Sequence, residues 1–399
     1  MRKAVVVGAG IGGLTAALAL AAEGWEVEVV ERAPALGAVG SCILLGPNAL
    51  RALDALPGGV ADDLRALSLP PMPFGMRTAR GEWLVRQHLQ ALQDRYGDTM
   101  VPVERPTVID LLASRLPAGA LRLAAEVASV DPETGVVSLV SGETLHADLV
   151  VGADGTHSPI RRRLFPGHPE PAFLGVSSWL LLVPGEGLGV TAGELWGRGA
   201  MFGTFPLADG RVYAFAEQVV REEHGFRDPV EEKAELARRF AGFAEPVAEI
   251  IARAVPEEIL RFDIRSQRRP LPAFHRGRVA LVGDAAHSMT PNVGQGACQA
   301  MEDAIVLAQH ADDLAAYSAE RRPRTVRITR LASIATRVST AAGVAAGVRD
   351  MVLRAGNRLG AARGAGGWDA LFRWEPPRSS RRDATPAQSI VREGGARSR

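Results

Sequence analysis

Cysteine is almost absent from this chain. Cys42 and Cys298 are the only two in 399 residues. They lie far apart in sequence, so no disulfide framework can be drawn, and a reducing cytoplasm is the expected location. Lysine is equally scarce: Lys3 and Lys233 stand alone, and the rest of the 46 basic residues are arginines. With 45 acids against them, the formal net charge of +1 gives no global field to gather nucleic acid or an anionic membrane. No uncharged apolar run is long enough to span a bilayer. The apolar start, MRKAVVVGAG, reads as the first strand of the fold and not as a signal peptide. The eight histidines show no metal-ligand spacing, so no metal is expected. Ser288 lacks the G-x-S-x-G elbow of a hydrolase. There is no internal repeat.

What is present points to nucleotide chemistry. Ala4–Val7 forms a strand, and Gly8-Ala9-Gly10-Ile11-Gly12-Gly13 supplies G-x-G-x-x-G before a helix with Leu14, Ala17, Leu18 and Ala21 on one face. A second strand, Glu26–Val30, ends in Glu31. Gly8 permits the tight turn, Gly10 lets a pyrophosphate reach the helix start, and Gly13 lets helix and strand pack closely. Glu31 is placed to accept bonds from a ribose and argues against a 2′-phosphate, so the ligand is FAD or NAD. Two more strand ends carry acids. Leu149–Val151 leads to Asp154-Gly155, with Ser158-Pro159 as N-cap and first helical position. Val279–Val282 leads to Gly283-Asp284, then Pro291, then Gly294-Gln295-Gly296, which opens a helix through Met301, Ala304, Ile305 and Ala308. A glycine-flanked helix start offers unpaired N–H groups and partial positive charge. It suits the electron-rich edge of a reduced flavin.

Taken together, the three segments resemble the group A, single-component FAD-dependent aromatic hydroxylases, which include hydroxybenzoate, salicylate and urate hydroxylases. The resemblance covers about Met1 to Arg322. It implies FAD as cofactor, NADPH or NADH as reductant, and O2 with a small-molecule substrate as partners, the oxygen passing through a flavin C4a-hydroperoxide. Gly8, Gly10, Gly13, Glu31, Arg32 and Arg105 are assigned to the adenosine and pyrophosphate end, and Asp154, Gly155, Gly283 and Asp284 to the pyrophosphate and ribityl chain. Pro291, Gly294, Gln295, Gly296 and Ala297 should line the ring, where the chemistry occurs. The segment Gly40–Leu44 should pass near it. His287 reads as a structural hydrogen-bonder, and both cysteines as small buried thiols. No second G-x-G-x-x-G follows a strand, so coenzyme choice is open. A halogenase would carry W-x-W-x-I-P, and Ser178-Trp179-Leu180-Leu181 does not match. A flavin oxidase or reductase, or a non-catalytic FAD-binding auxiliary protein, stays open.

The expected architecture is α/β: a Rossmann-like FAD-binding domain (1–70, 100–170 and 265–322) interleaved with a mixed β-sheet substrate domain (71–99 and 171–264). C-terminal helices (323–375) follow, one ending at Pro323 and others beyond it, and then a disordered tail (376–399). The protein is expected as a monomer or homodimer. Within the substrate domain, strands are expected at Val176–Val183, Gly193–Trp196, Met201–Phe205 and Arg211–Glu217. Met201, Phe202, Tyr213 and Arg198 are the candidate substrate contacts. The urate-like pattern has a basic residue near Met201, which this sequence lacks. Tyr213 is the only tyrosine there, so a tyrosine-pair relay is absent. An unpaired carboxylate against Met201 and Phe202 is costly by several kcal/mol. The substrate expected is therefore neutral, largely apolar and aromatic, with Arg198 the one side chain able to argue otherwise.

Overall fold

A computed structural model describes residues 1–37, 42–70, 72–223, 228–359 and 368–377. Its two principal sheets are built by different rules. The first has six strands in the order His275–Arg276, Val279–Leu281, Leu149–Gly152, Lys3–Val7, Glu26–Val30 and Leu121–Arg122. All neighbours are parallel except the first pair. Val5, Val6, Val150, Val151, Val279 and Ala280 are buried, as strands covered on both faces require. The strand ends at Val7, Gly152 and Leu281 therefore open on one edge, where such sheets bind ligands. The Ala124–Asp148 stretch forms a meander: Val127–Val130, Val136–Leu139 and Thr144–His146, antiparallel throughout.

The second sheet has seven strands in the order Leu260–Ser266, Ala172–Pro184, Arg211–Val219, Ala200–Pro206, Ala192–Trp196, Pro73–Thr78 and Trp83–His88. Only Ala192–Trp196 with Pro73–Thr78 is a parallel pair. Period-two alternation divides its residues cleanly. One face carries Leu181, Leu195, Phe202, Ala214 and Ala216, which pack under the helices Pro229–Phe240 and Val247–Arg253. The other face carries Phe74, Ala192, Trp196, Met201, Phe205, Tyr213 and Phe215 and looks toward the first sheet.

Three expectations are corrected. The expected domain edge at 265 falls inside a strand, since Arg265 and Ser266 pair with Phe173 and Ala172 in the large sheet. Pro323 does not end a helix: Leu314–Ser339 runs through it. The lost backbone bond costs about 3 kcal/mol, but Arg321 and Arg324 on either side are both tied to the buried Glu302, at 2.7 and 2.6 Å. Pro376 and Pro377 are not loose either, because Gln309 Nε2 donates to the Pro377 carbonyl at 2.7 Å. The remainder of the expected tail, 378–399, lies outside the described residues, as do 38–41 of the expected ring-proximal segment. Among the described residues no single helix is long and apolar enough to cross a membrane, although the bent pair Leu314–Ser339 and Gly343–Arg358 passes together. No group of three or more His, Cys, Asp or Glu among them is placed to hold a metal ion.

Candidate active site

Three parts converge on the open edge of the first sheet. At its N-terminal motif the chain turns at Gly8 with φ +106°, where a Cβ would lie 2.5 Å from the Ala153 carbonyl oxygen. A Cβ at Gly13 would lie 1.9 Å from the Gly8 oxygen, so helix Ile11–Ala22 can sit this close only without one. Gly10 is different. Its φ is ordinary, and the nearest atom to a Cβ there is Arg105 Nη2 at 3.8 Å. The helix start has no side-chain cap. Arg105 is exposed and has no hydrogen bond or ion pair among the described residues. A bare helix N-terminus beside a free guanidinium is an anion cradle. Arg32 is exposed at its side. Each Glu31 oxygen accepts a backbone N–H, from Ala9 at 2.8 Å and Ala33 at 2.9 Å, so the carboxylate also shapes the turn around the motif.

The second part is the segment after Leu281. Gly283 has φ +59°, and a Cβ there would press to 3.0 Å on Ala300 Cβ. Asp284 is exposed and accepts from Thr156 Oγ1 at 3.2 Å. Asp154 Oδ2 accepts from the Ile160 N–H at 3.0 Å, while its Oδ1 is buried without a partner. Gly155 (φ +81°) has open space where a Cβ would be. Pro291–Val293 forms a single 3-10 turn, Gly294 is left-handed at φ +61°, and the helix begins at Gly296 and runs to Gln309. A Cβ at Gly296 would meet nothing within 4 Å. Ala297 is half-buried beside it.

Beneath this loop lies a buried polar network that the motifs did not announce. Asn48 Nδ2 donates to Glu302 Oε1 at 2.6 Å and to Gln295 Oε1 at 3.0 Å. Arg321 bonds Glu302, Asp303 and Gln299 at 2.7, 2.7 and 2.8 Å. Asp303 also accepts from the Gly283 N–H at 2.9 Å and is paired with His287. Burial alone would raise the Asp303 pKa, but His287 and Arg321 outweigh it and hold it at about 2. Gln295 therefore turns its side chain inward, into this network. The signal for Gln299, Glu302 and Asp303 was available: they are polar residues interleaved with Met301, Ala304 and Ile305 on an otherwise apolar helix.

The third part is the inner face of the large sheet. Leu44 from the short strand Cys42–Leu45, with Met289 and Val293 from the segment after Asp284–His287, packs with Phe74, Phe205, Tyr213 and Phe215 in one cluster. Phe215 lies flat across Gly203, where a Cβ would be 2.1 Å from the ring, and stacks with Phe205 at 6.3 Å. Met201 is on this face. Phe202 is not. It points to the opposite face and meets Phe240 edge-on at 5.5 Å, a contact worth about 0.5–1.5 kcal/mol beyond its buried area. Consecutive strand residues cannot share a face. Arg198 is exposed at the sheet end, in a groove lined by Gly343, Val344, Gly347 and Met351, away from this cluster. Burial pushes the Tyr213 hydroxyl well above the usual phenol range.

Two acids escaped the sequence reading. Glu217 stands on the same face as Tyr213 and Phe215, opposite Met201 in register, and accepts from Asn292 Nδ2 at 2.7 Å. Burial raises it to about 8, against the bond from Asn292, with Glu194 adding to the rise. Glu194, between Ala192 and Trp196, accepts from Trp196 Nε1 at 2.6 Å, and burial raises it to about 7. Strand alternation places both inward once the register is known.

Comparison with known proteins identifies the family. The FAD binding domain family matches residues 1–332. The aurachin C monooxygenase/isomerase of Stigmatella aurantiaca is 36% identical over 309 residues, covering 76% of this chain and 79% of that protein. The FAD-dependent urate hydroxylase of Klebsiella pneumoniae is 33% identical over 339 residues, 81% of this chain and 86% of its own. The structure of Klebsiella pneumoniae HpxO complexed with FAD and uric acid superposes with a TM-score of 0.82 at 30% identity, covering 90% of this chain and 94% of that one. The chain belongs to the FAD binding domain family.

Proposed function

We propose that this protein is an FAD-dependent monooxygenase that uses NADPH or NADH and O2 to hydroxylate or epoxidise an electron-rich aromatic small molecule. The observation that carries the reading is the meeting of two surfaces: the glycine-bearing loop Met289–Gly296 lies directly against the aromatic face of the large sheet. The cofactor fits the residues present. Gly10 and Arg105 would take its pyrophosphate, Glu31 and Arg32 its adenosine end, and Asp154, Gly155, Gly283 and Asp284 the linking chain. Pro291 and Gly294–Ala297 would meet its ring through backbone groups and open space, not through reactive side chains. Bound there and reduced, FAD supplies the activation of O2. The chain's own contribution is to hold the ring against Phe205, Tyr213 and Phe215, exclude water with that cluster, and fix the loop through Asn48, Gln295 and Glu302.

The test is turnover under isotopically labelled O2 with a panel of phenols, anilines and hydroxyquinolines, followed by mass spectrometry. Label in a product, matched to NADPH or NADH consumed, supports oxygen insertion. Hydrogen peroxide in stoichiometric yield with no labelled product from any member would replace it with an oxidase. No flavin reduction by either coenzyme would leave an auxiliary FAD-binding protein.

A further inference from the structure

The aromatic cleft is acidic, with no counter-charge in evidence. Glu217 is 1% exposed, yet only its Oε2 is engaged, by Asn292. Oε1 has no hydrogen-bond partner among the described residues and is not sealed from solvent. Glu194 repeats the pattern: Trp196 holds Oε2, and Oε1 is open. Neither acid has an ion-pair partner among the described residues. The arginine that packs on Trp196, and Arg198 four residues after Glu194, are committed elsewhere. Arg349 lies over the Trp196 ring at 5.2 Å and donates to the carbonyls of Val338, Ser339 and Gly197 and to Asp350. Arg198 is outside, at the sheet end.

The register places the two acids on either side of one flat patch. Glu194 pairs with Gly203, which pairs with Phe215; Met201, one row along, pairs with Glu217. The acids are thus two strands apart and two residues offset, about 12 Å on the diagonal, with the Phe215 ring lying over Gly203 between them. A flat ring stacked on Phe215 would present its edges to both free oxygens. A buried carboxylate with an open lone pair is costly unless something donates to it. An anionic aromatic acid would make this worse, and an apolar hydrocarbon would leave it unrelieved.

We propose that Glu194 and Glu217 are the specificity-determining residues of this cleft and select an aromatic substrate that carries a basic nitrogen or N–H donors, excluding aromatic carboxylates. The assignment rests on the monooxygenase reading for the identity of the cleft. It sharpens the expectation of a neutral, apolar ligand: the walls are apolar, but the two buried acids, which hold their protons while the cleft is empty, can pass a proton to a basic nitrogen and then accept from its N–H groups.

The experiment is equilibrium binding to the FAD-loaded full chain, read by calorimetry, with three probes that share one ring: 4-aminoquinoline, quinoline and quinoline-4-carboxylate. The amine is expected to bind at least about tenfold tighter than the carboxylate. Glu217→Gln and Glu194→Gln should each weaken the amine by about tenfold while changing quinoline by less than about twofold. FAD stoichiometry reports that each variant is folded, and the second variant serves if the first is not. Carboxylate binding as tight as the amine, unchanged amine affinity in both variants, or no binding of any probe each overturns the proposal. Labelled-oxygen turnover, measured separately, keeps the two readings apart. Oxygen insertion without amine preference sinks only the recognition proposal, and amine preference without insertion sinks only the monooxygenase reading.

Discussion

Asn292, in the turn Pro291–Val293, donates its amide to Glu217, on the aromatic face of the large sheet, at 2.7 Å. The same amide reaches Ser339 Oγ at 3.2 Å, and its oxygen accepts from Thr336 Oγ1. One side chain thus ties the loop, the sheet and the long helix Leu314–Ser339 together. Asn292→Ala removes the only donor, among the described residues, to a buried carboxyl, so a loss of about 1–3 kcal/mol in urea unfolding is expected. Thermal stability equal to the wild type would show that water replaces the amide.

The two motif glycines separate fold from cofactor. A side chain at Gly13 collides with the Gly8 backbone at 1.9 Å, whereas one at Gly10 has only Arg105 Nη2 nearby, at 3.8 Å. Gly13→Ala should therefore lower stability and soluble yield. Gly10→Val should give a folded but colourless protein, because the valine occupies the cradle. Asp284→Ala should stay weakly yellow. If Gly10→Val retains one FAD per chain, the pyrophosphate lies elsewhere.

Much of this was legible in the sequence because it rests on backbone geometry. Glycine at Gly8, Gly13 and Gly283 is demanded by φ or by contact, and such demands appear directly as residue type. The strand cores appear as valine runs for a similar reason. What was not legible depends on long-range pairing. Glu217 becomes a cleft residue only because Arg211–Val219 pairs with Ala200–Pro206 in one register. Phe202 was misplaced because a strand's outward face is not marked when both faces are covered, here by helices on one side and the loops on the other. Pro323 misled for the converse reason, local propensity being overridden by Glu302 across the core.

Glu302 tests that override. It is fully buried and bonded to Asn48, Arg321 and Arg324. Glu302→Ala leaves a buried guanidinium short of charge, and a loss of about 3–5 kcal/mol is expected. Because Asn48 also bonds Gln295, FAD should dissociate faster from this variant. Unchanged stability and FAD release would mean that the network does not support the loop.

Burial pushes the thiols of Cys42 and Cys298 up to about 12 each. Both are neutral at physiological pH, and the thiolate is the nucleophilic form. Acid or heat denaturation should therefore release all FAD into the supernatant. Flavin colour that stays with the precipitated chain would reveal a covalent link.

The acidic cleft should leave its mark on stability. Glu217 and Glu194 are raised by burial to about 8 and about 7 in the folded chain, from the ordinary 4.5. Above pH 4.5 the unfolded chain releases these protons while the folded chain keeps them, so the folded chain binds more. Linkage then makes stability fall as pH rises, from the unfolded value through the folded ones. The contribution is complete below pH 4.5 and lost by about pH 9. Glu217→Gln cannot ionise, so its stability should match the wild type near about pH 4 and exceed it near about pH 9, by on the order of 1–3 kcal/mol. Urea unfolding of ligand-free protein at about pH 4, 6.5 and 9 measures the difference. Curves that run parallel for wild type and variant would show that Glu217 is ionised throughout and compensated by a cation. An aminoquinoline ligand should restore more stability at high pH in the wild type than in Glu217→Gln, where Glu194 is the one cleft acid left to ionise.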